Sequence, residues 1–136
     1  MKKYILPAMA SAMLASSACA ANTTVSTYSE LASALGSAGD GYTITLASGT
    51  YTANETLNVS AANVTLVSAG GKANTIIDGA SQYRILNVSG NGFKVEGITF
   101  KNAYCENNGG AISYSSSSVS QTTMVKNCDF IDIDRT

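Results

Sequence analysis

Apolar and polar residues alternate in short runs along most of the chain. Residues 42–46, 56–59, 64–67, 85–88 and 93–95 each place an apolar side chain at about every second position, and Gly, Asn or Ser separates one run from the next. A period of two between turn-forming residues predicts half-buried β-strands. One segment departs from this pattern. Thr27-Tyr28-Ser29-Glu30 has the form of a capping box, in which a threonine hydroxyl and a glutamate carboxylate satisfy free amide donors at a helix start. Tyr28, Leu31 and Leu35 follow at spacings of three and four, which predicts a short helix over residues 28–35 with Gly36 as a left-handed stop. A helix of about two turns does not persist alone, so its apolar stripe must lie on another part of the molecule.

Self-comparison organises the strands. The shift that lays Leu57-Asn58-Val59 on Leu86-Asn87-Val88 also lays Val64 on Phe93 and Leu66 on Val95. A shift longer by a single position lays residues 95–100 on residues 125–130. A repeat of this length, made of strands with no helix between them, predicts a solenoid of stacked coils. The inward residues are then Phe93, Val95, Ile98 and Phe100 in one coil and Val125, Cys128 and Phe130 in the next. Gly97 and Asn127 interrupt the alternation at the same place, where both residue types tolerate the positive φ of a corner. By the same logic Asn107-Asn108-Gly109-Gly110 is a corner, Ala111-Ile112-Ser113-Tyr114 begins the next coil with Ile112 inward, and residues 115–121 form an outer loop. A phosphate loop would need a following helix and a lysine, and this stretch has neither.

The first twenty residues carry Lys2-Lys3, an apolar stretch and Ala18-Cys19-Ala20, the pattern of a bacterial-type secretory signal cleaved after Ala20. The stretch is too short for a membrane span. Cys19 raises the alternative of lipidation, although the Leu usual three positions earlier is missing. Removing twenty residues from 136 leaves 116, one modest domain over residues 21–136. Removing Lys2 and Lys3 from the eight basic residues leaves six against nine acidic ones, a net charge of −3 that favours neither nucleic acid nor an anionic membrane. The chain has no His, which excludes a Ser/His/Asp or Cys/His centre and any His-ligated zinc. Cys105 and Cys128 remain in the mature chain, either as free thiols or as one disulfide.

These residues carry a resemblance. The helix before the first coil, "TLASGTYT" at residues 45–52, "TIIDG" at residues 75–79 and "GITFKN" at residues 97–102 resemble the N-terminal part of a right-handed parallel β-helix of the pectate-lyase-like superfamily, with about four coils here. In that family the helix plugs the top of the stack, which implies a burial site for Leu31 and Leu35. Gly109-Gly110-Ala111-Ile112 also resembles the G-G-A-I element of polymorphic outer-membrane protein repeats, which form surface-displayed passenger regions. The companion F-x-x-N is absent: Asn102 stands two positions after Phe100, and Ala103 stands three after it.

Polysaccharide lyases and hydrolases of that superfamily use Lys or Arg, often with calcium on Asp or Glu, along one sheet. Such chemistry needs several convergent charged groups. Arg84, Lys94, Lys101 and Lys126 are available, but the three lysines sit at outward strand positions, as a solvated face would. Asp129, Asp132 and Asp134 would make a poor calcium cage in a terminal strand. Asn63, Asn87, Asn102 and Asn127 fit corner or ladder roles. Tyr42, Tyr51, Tyr83, Tyr104 and Tyr114 would suit the apolar faces of sugar rings but form no stripe in sequence. No catalytic, cofactor or metal-binding residue is assigned.

The strand pattern runs to the last residues with no polar cap, which predicts either a longer product or a bottom coil covered by self-association. The functional expectation is an exported, surface-displayed or secreted β-helix for adhesion or carbohydrate contact. The alternative is the N-terminal portion of a polysaccharide lyase whose active residues lie beyond residue 136.

Overall fold

The computed structural model describes residues 22–106, 109–115 and 123–133. The expected leader, Asn107 and Asn108, nearly all of the expected outer loop, and Asp134 lie outside them. In chain order the elements are β1 (Asn22–Val25), α1 (Tyr28–Ser37), β2 (Thr43–Leu46), β3 (Gly49–Thr52), β4 (Leu57–Val59) and β5 (Thr65–Ser68). They continue with β6 (Thr75–Asp78), β7 (Leu86–Val88), β8 (Lys94–Glu96), β9 (Thr99–Lys101), β10 (Ile112–Tyr114), β11 (Met124–Lys126) and β12 (Asp129–Ile131).

The strands pair in parallel, in the orders β11-β8-β5-β2-β1, β12-β9-β6-β3 and β10-β7-β4. One strand from each sheet makes one turn, so the chain winds a parallel β-helix. It makes three complete turns and two strands of a fourth, against the four expected. Both sequence shifts are ladders. Leu57 pairs with Leu86 and Leu66 with Val95, as the shorter shift predicts, and Val95 pairs with Val125 and Phe100 with Phe130, as the longer one does. The first step is shorter than either, with Thr43 pairing with Thr65. β10 corrects the sequence assignment. Ile112 pairs with Leu86, so residues 112–114 form the third strand of the third turn and do not open the next.

Parallel, in-register stacking puts like side chains in columns at about 4.8 Å per rung. Tyr51, Ile77, Phe100 and Phe130 form one such column. The Phe100 and Phe130 rings stack with centroids 5.3 Å apart and an interplanar angle of 10°. Corners repeat as regularly. Gly97 (φ 73°) and Asn127 (φ 51°) occupy the same left-handed corner on successive turns, and at Gly97 a Cβ would sit 2.6 Å from the Ser68 hydroxyl oxygen. Asn102 (φ 51°) and Asp132 (φ 52°) repeat the arrangement one strand later.

The helix closes the N-terminal end. Thr27 Oγ1 accepts from Glu30 N at 3.1 Å, and the Glu30 carboxylate reaches back past the cap to accept from Ser26 N at 2.8 Å and Ser26 Oγ at 3.0 Å. Tyr28, Leu31 and Leu35 are buried, and the helix packs against β1, β2 and β4. The expected stop at Gly36 is corrected: Gly36 lies inside the helix, which ends at Ala38 in extended backbone. Tyr51, expected among the surface tyrosines, is buried, and its single hydroxyl proton lies between two acceptors, Ala47 O at 2.6 Å and Val25 O at 3.0 Å, joining the first turn to β1. At the other end, Val125 and Phe130 continue their inward columns but stay 48% and 46% exposed.

Candidate functional site

Each described cation has a neighbour that occupies or offsets it. Lys72 Nζ lies 2.8 Å from Asp129, and Lys126 Nζ lies 4.0 Å from Glu96. Lys101 sits in register beside Asp78, and Lys94, on the same face of β8 as Glu96, donates to Gly92 O at 3.4 Å. The three lysines are outward, as their strand positions predict, and the rungs do not gather them into a row. Asp129 turns to Lys72, and Asp132 is exposed in its corner. Among the described residues no three or more His, Cys, Asp or Glu side chains gather at a metal-binding distance. Both described cysteines are free thiols.

Asn63, Asn102 and Asn127 all take positive φ at corners. Asn87 instead donates from Nδ2 to Asn58 Oδ1 at 3.2 Å, a two-rung ladder on the outside of β4 and β7. Asn102 Nδ2 also donates to Asp78 Oδ1 at 3.2 Å, and the same oxygen accepts from Ala80 N at 2.8 Å. These bonds pin the corner that follows β6, where Ala80 and Ser81 are both left-handed (φ 57° and 55°).

The residues after that corner carry side chains with recognition chemistry on adjacent rungs. Tyr104 N–H donates to Tyr83 O at 3.0 Å, so the second and third turns carry a tyrosine on neighbouring rungs, both half-buried. Beside them Arg84 donates from Nε to Gly109 O at 2.9 Å and from Nη2 to Cys105 Sγ at 2.8 Å. Ile85 N–H donates to Gly110 O at 3.2 Å. The Gly109-Gly110 pair therefore presents carbonyl acceptors to the neighbouring rung, consistent with a corner and not with an anion cradle. Exposed Glu55 lies on the rung before Tyr83, and exposed Glu106 follows Tyr104 by two positions. The Tyr28 hydroxyl donates to the backbone oxygen of Glu55, and burial first, then the charges of Glu55 and Tyr83, push the Tyr28 phenol well above its usual range. A cleft of about 140 Å³ shares Glu55 and is also lined by Thr56 and Asn58.

Tyr83 and Tyr104 could not be paired from the sequence, because their separation is shorter than either detectable shift. The step from β6 to β9 is short as well, Ile76 pairing with Thr99, so a fixed-period comparison passes over it.

No family model and no curated protein matches the chain. Among solved structures, a point mutant of AlyGC, an alginate lyase of the PL6 family, superposes with a TM-score of 0.62 at 20% identity, over 79% of this chain and 15% of that one. The shared feature is the parallel β-helix. At this identity the likeness speaks for the fold alone, and the chain spans about 15% of the length of that lyase.

Proposed function

We propose that this chain is an exported β-helical segment that contacts carbohydrate at the corner built by Tyr83, Tyr104 and Arg84, with no catalytic centre among these residues. The observation that carries the reading is the rung-to-rung backbone bond from Tyr104 N–H to Tyr83 O, which sets two half-buried tyrosines on adjacent rungs of one corner. Tyrosine offers a flat apolar face to the C–H side of a sugar ring and a hydroxyl to its edge. Arg84 is the positioning residue, since its bonds to Gly109 and Cys105 tie the two corners together. The fold neighbour acts on alginate, a polysaccharide, which supports a carbohydrate ligand. Titration calorimetry with oligosaccharides tests the site: Tyr104→Ala is expected to weaken binding at least about tenfold, and unchanged affinity would remove it.

Display outside the cell for adhesion belongs to the same proposal, supported by the leader pattern and the G-G-A-I corner. Intact mass of the chain recovered outside the cytoplasm is expected to correspond to cleavage after Ala20, and retention of the leader would count against export.

The second reading, the β-helix section of a polysaccharide lyase, is favoured by the fold neighbour. A lyase leaves an unsaturated, ultraviolet-absorbing sugar at the cleaved bond. In this reading the active residues lie beyond residue 136, so absorbance growth with a uronate polymer is expected from a longer product and not from residues 21–136 alone, and its absence from both would remove the reading.

A further inference from the structure

We infer that the glycan taken at the Tyr83–Tyr104 corner is uncharged, unlike the polyuronate named for the fold neighbour. The inference rests on the carbohydrate reading of that corner.

A chain with one carboxylate per sugar is held by cations spaced along its path, usually as paired charge-assisted hydrogen bonds. The five described cations form no such path. Lys72 and Lys126 are each paired with a carboxylate, Asp129 at 2.8 Å and Glu96 at 4.0 Å. Lys101 has Asp78 beside it in register, and Lys94 shares its outward face with Glu96. Arg84, the cation nearest the tyrosines in the chain, directs Nε to Gly109 O and Nη2 to Cys105 Sγ.

The charges exposed at the corner have the opposite sign. Exposed Glu55, on the rung before Tyr83, and exposed Glu106, two positions after Tyr104, would repel a polyanion approaching that corner. The whole chain carries a formal net charge of −1, so no long-range field draws a polyanion in. What the corner does present is two phenol rings and a set of neutral dipoles, including the Asn58–Asn87 amide ladder on the sheet that follows. Amides and hydroxyls match the hydroxyl groups of a neutral sugar, and a tyrosine face matches its C–H side without needing charge.

The test compares two probes of equal length, a neutral glucan oligosaccharide and an oligouronate, by calorimetry on the leader-free chain at low and high salt. The neutral probe is expected to bind at least about tenfold more tightly at low salt, with an affinity that salt leaves nearly unchanged. The double variant Glu55→Lys, Glu106→Lys is expected to narrow the gap by strengthening uronate binding at low salt only. Equal or tighter binding of the uronate by the unmodified chain would overturn this inference and leave the carbohydrate reading standing. Absence of binding by both probes, with the fold intact by circular dichroism, would remove that reading and this inference together.

Discussion

The two ends of the solenoid use the same inward columns and treat them differently. At the N-terminal end Ile44 is fully buried, because β1 pairs beside its strand and α1, with buried Leu31 and Leu35, packs against both strands. At the C-terminal end Val125, three rungs down the same column, is 48% exposed, and Phe130 is 46% exposed although its ring stacks on Phe100. The alternation of residues is alike at both ends. An inward side chain is stabilised only when a layer covers each of its sides, so the same pattern has a different energetic value in different turns.

The sharpest way to break this comparison is within the aromatic column. Phe100→Ala removes a ring covered above and below and is expected to cost about 3–5 kcal/mol, read as a lowered urea midpoint. Phe130→Ala, half-covered, is expected to cost less than half of that. Equal losses would mean that the last turn is as well packed as the third.

A smaller effect sits at the closed end. Thr27→Ala removes the acceptor for Glu30 N–H and is expected to cost about 0.5–2 kcal/mol, seen as a lower melting temperature with the sheet signal retained. A cost near zero would mean that the helix start is held by Leu31 and Leu35 alone.

The smallest effect is a pH dependence. The hydrogen bonds from Ser26, and then that from Thr27, hold the fully exposed Glu30 carboxyl below its usual range. A depressed acid contributes stability above its unfolded-state pKa and loses it as the pH falls through the folded-state value. Acid titration of the melting temperature is therefore expected to show a component that Glu30→Gln removes. An unchanged acid profile in that variant would assign the component to other carboxylates.

The architecture was readable because a solenoid writes its spacing into the chain. Leu57 and Leu86, Val95 and Val125, and Phe100 and Phe130 are each separated by one full turn, and each pair is a ladder partner in the fold. The helix was readable for a local reason, a cap followed by residues at spacings of three and four. Its end was not, because Gly36 has the identity of a stop residue but lies just before the actual helix terminus, where Ala38 N–H donates to Leu35 O at 3.4 Å. Position 36 therefore never needs the left-handed conformation that makes glycine useful.

β3 and β6 are marked in the sequence only by the motifs at residues 45–52 and 75–79, and β1 and β10 are misread for different reasons. β1 consists mostly of exposed polar residues, and only Val25 marks a buried face. β10 reads as the start of the following turn because Gly109-Gly110 looks like a boundary, whereas the pairing of Ile112 with Leu86 keeps it in the third turn. The candidate site was the least readable part of the molecule. Its tyrosines were visible one by one, but their meeting depends on the length of a corner, and corner length leaves no periodic mark in the chain.

This variation in corner length also bears on how the molecule can change. Along the β4-β7-β10 sheet, Leu57 pairs with Leu86 and Leu86 with Ile112, the second step being shorter than the first, yet the strands stay in register. Residues can therefore be added or removed at a bend without shifting any rung, and the surface chemistry can be rewritten one loop at a time over an unchanged interior.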